Sequence, residues 1–415
     1  GCLVKGFDLK VGLKIGLKIG LVLAGLTAGG ALVSSRPAAP ERPIGRPNVV
    51  MILIDTLRAD HTSLYGYRRP TTPFLDKFAA HGTVFRQARS QASCTFPSVN
   101  SILSGRHPAI YLGQPDGKQG FLEGVPTLQG LLRQAGYRTI AVSSSTVVRK
   151  NPGPHNLGGG FDPGFDVFDE SCLFKRAPCV SERSLRLVED ASAPFFLYAH
   201  YLDPHSPYDP PGPFQRRFTR RENQVQEFVR RGDLGLVRSF LREGGKPVVL
   251  TEVEKRHAVA LYDEDVLTVD DGVRRLVEGL AERGLLRNTL VVVLSDHGEE
   301  HFDHGGIYHC STTYDELVRT PLVIVGPGVA PGVVDSAVQN LDRRTPAERA
   351  ARREEPGGAA ASAAAVEWRA RERPGRRAGL LGATRLALGH RWALQAGARS
   401  AGPWCPALRS GGGPR

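Results

Sequence analysis

With 415 residues the chain is long enough for one large α/β domain with smaller additions, and too long to be a single small module. Its formal net charge of +12 invites a nucleic-acid reading, but the excess lies at the two ends. Residues 343–415 carry 15 Arg against 5 Glu and residues 1–46 carry 7 basic against 2 acidic side chains, leaving 32 basic and 35 acidic ones in residues 47–342. A near-neutral body offers no electrostatic footprint for nucleic acid. The six cysteines include no C-x-x-C pair, which speaks against a zinc knuckle or a thioredoxin-type motif. Cys172 and Cys179 are close enough in sequence to close a small loop in an oxidising compartment.

Residues 1–46 read as a signal or membrane segment followed by a linker. Lys5, Lys10, Lys14 and Lys18 precede the uncharged run Ile19–Val33. That run is short for a spanning helix and suits a signal-peptide core, with an uncleaved anchor as the alternative. An exported protein, periplasmic or membrane-anchored, is the expectation. Ser34–Arg46 is rich in Pro and Arg, as linkers are.

Asn48–Ile54 is a continuous apolar run rich in β-branched residues, the pattern of a strand buried on both faces, and it ends at Asp55. Open α/β sheets place ligands at the carboxyl ends of their parallel strands. Pro73–His81 is a short amphipathic helix, Val125–Ala135 another, and Arg138–Val142 the next strand. In Ser93–Pro108 (SCTFPSVNSILSGRHP) a hydroxyl residue precedes Pro97 and an Ile-Leu pair follows one turn later. Proline is tolerated in a first helical turn, so Thr95 is expected at a helix entrance, where free amides and the helix dipole favour an anion. Ser143–Asp169 is Gly- and Pro-rich and reads as loop.

Phe195–Tyr201 predicts a strand leading into Leu202–Tyr208 (LDPHSPY). Arg216–Lys246 is strongly charged and reads as a solvated helical excursion, and Glu252–Arg283 shows helical periodicity. Thr289–Leu294 is a second buried strand. It ends Ser295-Asp296-His297-Gly298, so an oxygen and a nitrogen ligand emerge side by side at a strand end, with glycine allowing close approach. Paired with Asp55, this is the strongest metal signal in the chain. It implies one divalent ion (Ca, Mg, Mn or Zn) held by Asp55, Thr95, Asp296 and His297. Beyond Asp342 the composition turns to Arg, Ala, Gly and Pro and all three Trp occur there. This predicts a largely disordered 343–415 tail, foreign to the domain through a shifted reading frame or a truncation.

Asn48–Gly66 (NVVMILIDTLRADHTSLYG), Thr71–Phe85, the Thr95 stretch, His200–Tyr208 (HYLDPHSPY) and Val291–Pro321, in that order, resemble the sulfatase family of the alkaline phosphatase superfamily. The resemblance runs from about Pro47 to Asp342. It implies an α/β fold with a mostly parallel central sheet flanked by helices, and a catalytic domain at 47–342. The family's small C-terminal subdomain is missing or garbled. The resemblance also implies ester hydrolysis, with His205 on the substrate side and His309 near the scissile ester. Lys150 and His155 lie where the family often brings cations to the substrate, but no pattern fixes either. His301 and His304 read as loop or supporting residues.

The chain departs from a standard sulfatase at the nucleophile. Sulfatases carry a Cys or Ser two residues before the proline, oxidised to formylglycine, in the pattern Cys/Ser-x-Pro-Ser-Arg. Here that position is Thr95, with Cys94 one residue early and Val99 in place of Arg. Thr56 stands where the family usually has a second Asp. Threonine resembles the phosphodiesterase and phosphotransferase branches. Three functions stay open at this point: a metal-dependent hydrolase of sulfate or phosphate esters of small molecules, glycans or lipids; a membrane phosphoglycerol or phosphoethanolamine transferase; and a non-catalytic binder of anionic glycans.

Overall fold

The computed structural model describes residues 45–111, 120–172, 177–189, 191, 194–220, 225–234 and 250–341. The proposed signal or anchor run and the 343–415 tail lie outside the described residues, as does much of Arg216–Lys246. Within that excursion the described part holds a short helix, Glu227–Arg230, with Val225, Val229 and Leu234 buried rather than solvated.

The architecture grows from one strand. β1 (Asn48–Ile54) has all seven residues buried, as its apolar run predicts, because helices cover both of its faces. Val50, Ile52 and Ile54 enter one apolar cluster and Val49, Met51 and Leu53 the other. This is the period-two alternation of a strand expressed in three layers. The remaining strands are β2 (Gly82–Phe85), β3 (Ala88–Arg89), β4 (Arg138–Ser143), β5 (Val167–Asp169), β6 (Phe195–Tyr201), β7 (Thr289–Ser295), β8 (Glu300–His301), β9 (Ile307–Tyr308), β10 (Arg319–Thr320), β11 (Leu322–Val325), β12 (Gly332–Val334) and β13 (Val338–Gln339). Among the described residues the main sheet has eight strands in the order β12-β2-β11-β7-β1-β6-β4-β5. β11 runs antiparallel to β2 and β7, and the other pairings are parallel.

Register decides where the site forms. Ile54 pairs with Ser295 of β7 on one side and Tyr201 of β6 on the other. The residues that follow, Asp55 and Asp296, therefore leave neighbouring strands side by side at the carboxyl edge. One face is covered by α1 (Pro73–Phe78), by α4 (Ala177–Glu189) and by a long helix, Glu252–Glu282; the other is covered by α2 (Thr95–Ser104) and α3 (Leu128–Gln134). α3 starts three residues later than its apolar pattern suggests, because the Thr127 hydroxyl accepts from Gly130 N and caps it there. Cys172 and Cys179 are bridged at the entry of α4.

The long helix begins in a capping box, with Thr251 and Glu254 bonded reciprocally. Further along it carries buried acids that the apolar period does not anticipate. Asp263 holds His61 at 2.7 Å and Arg69 at 2.6 Å, Glu264 accepts from the amides of Phe218 and Thr219, and Asp265 accepts from Asp209 N. Asp270 accepts from Phe74 N at 2.8 Å and Leu75 N at 3.0 Å. These carboxylates tie the loops after β1 and β6 to the helix.

Burial, aided by the nearby Asp76 and Asp271 charges, pushes the Asp270 carboxyl from 3.8 up to about 7, despite the two amides it accepts from. A proton held more tightly in the folded chain than in the unfolded one stabilises the fold fully below the unfolded value. That contribution is lost as pH rises through the folded value. Asp270 is therefore expected to cost stability progressively between pH 3.8 and about 7. Asp270→Asn is expected to remove that part of the dependence. In thermal melts across this window, Tm of the variant minus Tm of the parent should grow with pH, and a flat difference would show that Asp270 carries no linkage.

Candidate active site

Thr95 is the first residue of α2. Cys94 precedes it in extended conformation and closes the first turn through its carbonyl, which accepts from Ser98 N at 3.1 Å. Pro97 sits in that turn, where its missing N–H leaves nothing unpaired. The Ser98 hydroxyl donates to Asp296 O at 2.7 Å, so the helix mouth is anchored on the β7 end. Val99, which stands where the family pattern has Arg, is buried in the apolar cluster between α2 and the sheet.

Asp55, Thr95, Asp296 and His297 come together. The Thr95 hydroxyl lies 3.1 Å from His297 Nε2. That same nitrogen is 3.4 Å from Asp296 Oδ2 and 4.0 Å from Asp55 Oδ1. One ligand atom each from Asp55, Asp296 and His297 lies within 4.8 Å of the other two. His297 Nδ1 donates to Gly298 O at 2.9 Å, leaving the Nε2 lone pair facing the cluster. Gly298 is required here: a Cβ would stand 1.9 Å from Glu316 O.

Asp296 Oδ1 is satisfied by the amides of Thr56 and His297, at 3.2 and 2.8 Å. Asp55 Oδ1 and Asp296 Oδ2 are buried without a hydrogen-bond partner. Burial pushes both carboxyls up. On Asp55 the hydrogen bond from His200 and the charges of His205, His200 and His297 outweigh burial and hold it well below the usual carboxylate range. Asp296 is pushed up to about 6 by burial and by the Asp55 charge. Two buried carboxylate oxygens aimed into one space with a histidine nitrogen fit a divalent cation, and the oxygen-nitrogen donor set suits Ca, Mg, Mn or Zn.

Thr56 occupies the turn after Asp55 at φ +53°, an uncommon conformation for a β-branched residue, and its buried hydroxyl has no hydrogen-bond partner. The Tyr262 hydroxyl, donating to Thr56 O, and Ser295 Oγ, accepting from Leu57 N, pin this turn.

His205 and His309 stand at the same edge, their ring centroids 5.1 Å apart. His309 is also 4.6 Å from the His297 ring and has its Nδ1 2.9 Å from Glu299 Oε1. His205 Nδ1 donates to Ser206 O at 2.6 Å. Burial, opposed by Asp55 and assisted by the His309 charge, draws the His205 imidazole below its ordinary value. His301 is elsewhere, buried against Tyr262 and Tyr208. His304 pairs with Glu316 and stacks on Tyr314. Lys150 and His155 are exposed.

His200 was missed. Its Nε2 lies 3.2 Å from Asp55 Oδ2 and its Nδ1 2.9 Å from the Tyr198 hydroxyl, so the strand next to β1 orients the carboxylate. The available signal was a titratable residue inside an otherwise apolar buried strand. Cys94 and Cys310 are also bridged, a pairing that no sequence spacing suggested.

The sulfatase family model matches residues 47–346, most of the chain. The chain belongs to the sulfatase family. It is 25% identical over 319 residues to an arylsulfatase of Hemicentrotus pulcherrimus, covering 72% of this chain and 57% of that protein. It is 24% identical over 347 residues to an arylsulfatase of Clostridium perfringens, covering 68% and 69%. The chain thus spans little more than half the length of the first of these relatives. The solved phosphonate monoester hydrolase of Agrobacterium radiobacter shares the fold with a TM-score of 0.58 at 19% identity, over 72% of each chain.

A divalent ion that binds the folded chain alone stabilises it by mass action, by about 2.7 kcal/mol at a hundredfold excess over Kd, and so raises Tm. Asp296→Asn is expected to lose most of that metal-induced increment, measured by thermal shift in chelator and in each metal. An equal increment in both proteins would place the metal elsewhere.

Proposed function

We propose that the chain is a metal-dependent hydrolase of sulfuric or phosphoric esters with Thr95 as its nucleophile. The observation that carries this reading is the Thr95 hydroxyl at a buried helix mouth, 3.1 Å from His297 Nε2, a nitrogen that itself clusters with the unpartnered oxygens of Asp55 and Asp296. A divalent cation held by Asp55, Asp296 and His297 would supply positive charge that lowers the pKa of the Thr95 hydroxyl and offsets charge on the ester. The Thr95 hydroxyl gives up its proton to solvent as its oxygen attacks phosphorus or sulfur, and the free amides of the first α2 turn would face the non-bridging oxygens. The bond to the leaving alcohol breaks as His309 or His205 donates a proton to it, a step worth about 10²–10⁴-fold. Water then hydrolyses the Thr95 ester.

Threonine cannot become formylglycine, so the chemistry favours phosphorus, while the arylsulfatase names of the relatives favour sulfate. The substrate is a small-molecule, glycan or lipid ester. The transferase and glycan-binder readings gain nothing from the comparisons. Among the described residues no helix is long and apolar enough to cross a membrane. Two disulfides support export to an oxidising compartment.

Thr95→Ala is expected to lower turnover by roughly 10³-fold or more, assayed on an aryl sulfate, a phosphate monoester and a phosphate diester across a metal series. In the parent, rapid quenching and peptide mass spectrometry should find a sulfuryl or phosphoryl group on Thr95. Retained turnover in Thr95→Ala would end the proposal. Turnover of the aryl sulfate alone would overturn the preference for phosphorus.

A further inference from the structure

We propose that the Cys94–Cys310 disulfide is a positioning device of the active site, holding His309 against the mouth of the Thr95 helix. This rests on the reading of Thr95 and His309 given above. The bridge joins residues 216 apart in sequence, with Cα atoms 4.8 Å apart. Cys94 immediately precedes Thr95 and Cys310 immediately follows His309. No other covalent link among the described residues connects the nucleophile's helix to the loop that carries a candidate proton donor.

That loop does not hold its shape by local preference. Phe302, Tyr308 and Cys310 have φ of +70°, +73° and +72°, so both neighbours of His309 lie in the left-handed region although neither is glycine. Such residues persist only where surrounding structure imposes them. β8 and β9 are two residues each and pair only with one another. Noncovalent ties hold the same loop: Cys310 N donates to Ser93 O at 2.8 Å, the Tyr308 hydroxyl lies 3.0 Å from Ser206 Oγ, His309 pairs with Glu299, His304 with Glu316 and Asp303 with Arg58. The bridge is the covalent member of this set, and it acts at the residue next to each functional group.

Cys310 is exposed and Cys94 partly so, whereas Cys172 of the other bridge is fully buried. A small dithiol should therefore open Cys94–Cys310 first. One dithiol molecule is oxidised to its cyclic disulfide, and its two electrons and two protons convert the bridge to two thiols. Either bridge can add to stability by closing a loop, so stability alone cannot separate positioning from stapling.

The test uses the full chain loaded with its divalent ion. Graded dithiol is followed by thiol alkylation and peptide mass spectrometry to show which bridge has opened. Three measurements accompany each state: kcat and KM on esters of good and poor leaving alcohols, near-UV circular dichroism, and hydrogen exchange. Opening Cys94–Cys310 is expected to lower kcat on the order of tenfold or more for the poor leaving group. The nitrophenyl ester should lose less, KM should change little, and re-oxidation should restore the rate. Exchange should rise in peptides spanning 301–314 while β1 and β7 stay protected. Cys94→Ser/Cys310→Ser should show the low kcat from the outset and no response to dithiol, and Cys172→Ser/Cys179→Ser should respond as the parent does.

Unchanged exchange at 301–314 after verified opening would overturn the proposal, as would an equal loss for both leaving groups or a loss that follows the near-UV signal. Thr95→Ala is run in parallel. If it retains turnover, the reading of the nucleophile fails, and the exchange result still decides whether the bridge orders the His309 loop.

Discussion

Two carboxylates that ought to repel each other are held together by strand register. β1 and β7 end in step, so Asp55 and Asp296 emerge from adjacent parallel strands, fully buried, each with one oxygen unsatisfied. Leaving a buried charged acceptor unpaired costs several kcal/mol, more than a surface ion pair returns. The surroundings answer this locally. His200 and Tyr198 steady Asp55 from β6, the Thr56 and His297 amides steady Asp296, and Asn340, just after β13, donates to Ser295 O. What they leave open is a small space bounded by oxygens and one imidazole nitrogen, the shape of a cation's demand.

The same approach recurs away from the site. Asp263, Glu264, Asp265 and Asp270 lie inside the fold on one helix; the first three are spent on the segments after β1 and β6 and Asp270 on the first turn of α1, rather than on the helix itself. Arg58 is buried between Asp60 and Asp303 and donates to Glu299 O, joining the loop after β1 to the loop after β7. Backbone bonds to fixed charges orient irregular segments better than apolar contact can, because they have direction as well as strength. The loops that present His205 and His309 thus rest on a polar framework carried by a rigid helix.

Much of this could be read from the sequence. Continuous apolar runs, β-branched in β1 and β7 and aromatic-rich in β6, marked these strands, since strands covered on both faces show no regular polar alternation. Acids at two of those ends, and a hydroxyl before a first-turn proline, named residues that the fold then brings together. What escaped was non-local. His200 acts across a strand pairing, Cys94 finds Cys310 over 216 residues, and the acids of the long helix serve partners tens to hundreds of positions away. None of these leaves a spacing in the sequence. The excursion from Arg216 misled because its charges hide the few apolar residues, Val225, Val229 and Leu234, that are buried.

The substitutions at positions 56 and 95 belong to one electrostatic argument. Where the family usually places a second carboxylate beside the first, this chain has the neutral, buried Thr56. Two carboxylates and a neutral His297 would balance the proposed divalent cation, where a third carboxylate would leave the centre net negative. A dianionic phosphate monoester suffers more from such residual charge than a monoanionic sulfate ester does, since repulsion scales with the product of the charges and is strong where water is excluded. Removing one carboxylate would therefore help the more highly charged substrate most, in keeping with the unmodified hydroxyl nucleophile proposed above. With Thr95 as the proposed nucleophile, the neutral Thr56 would favour a phosphoric ester over the aldehyde chemistry of standard sulfatases.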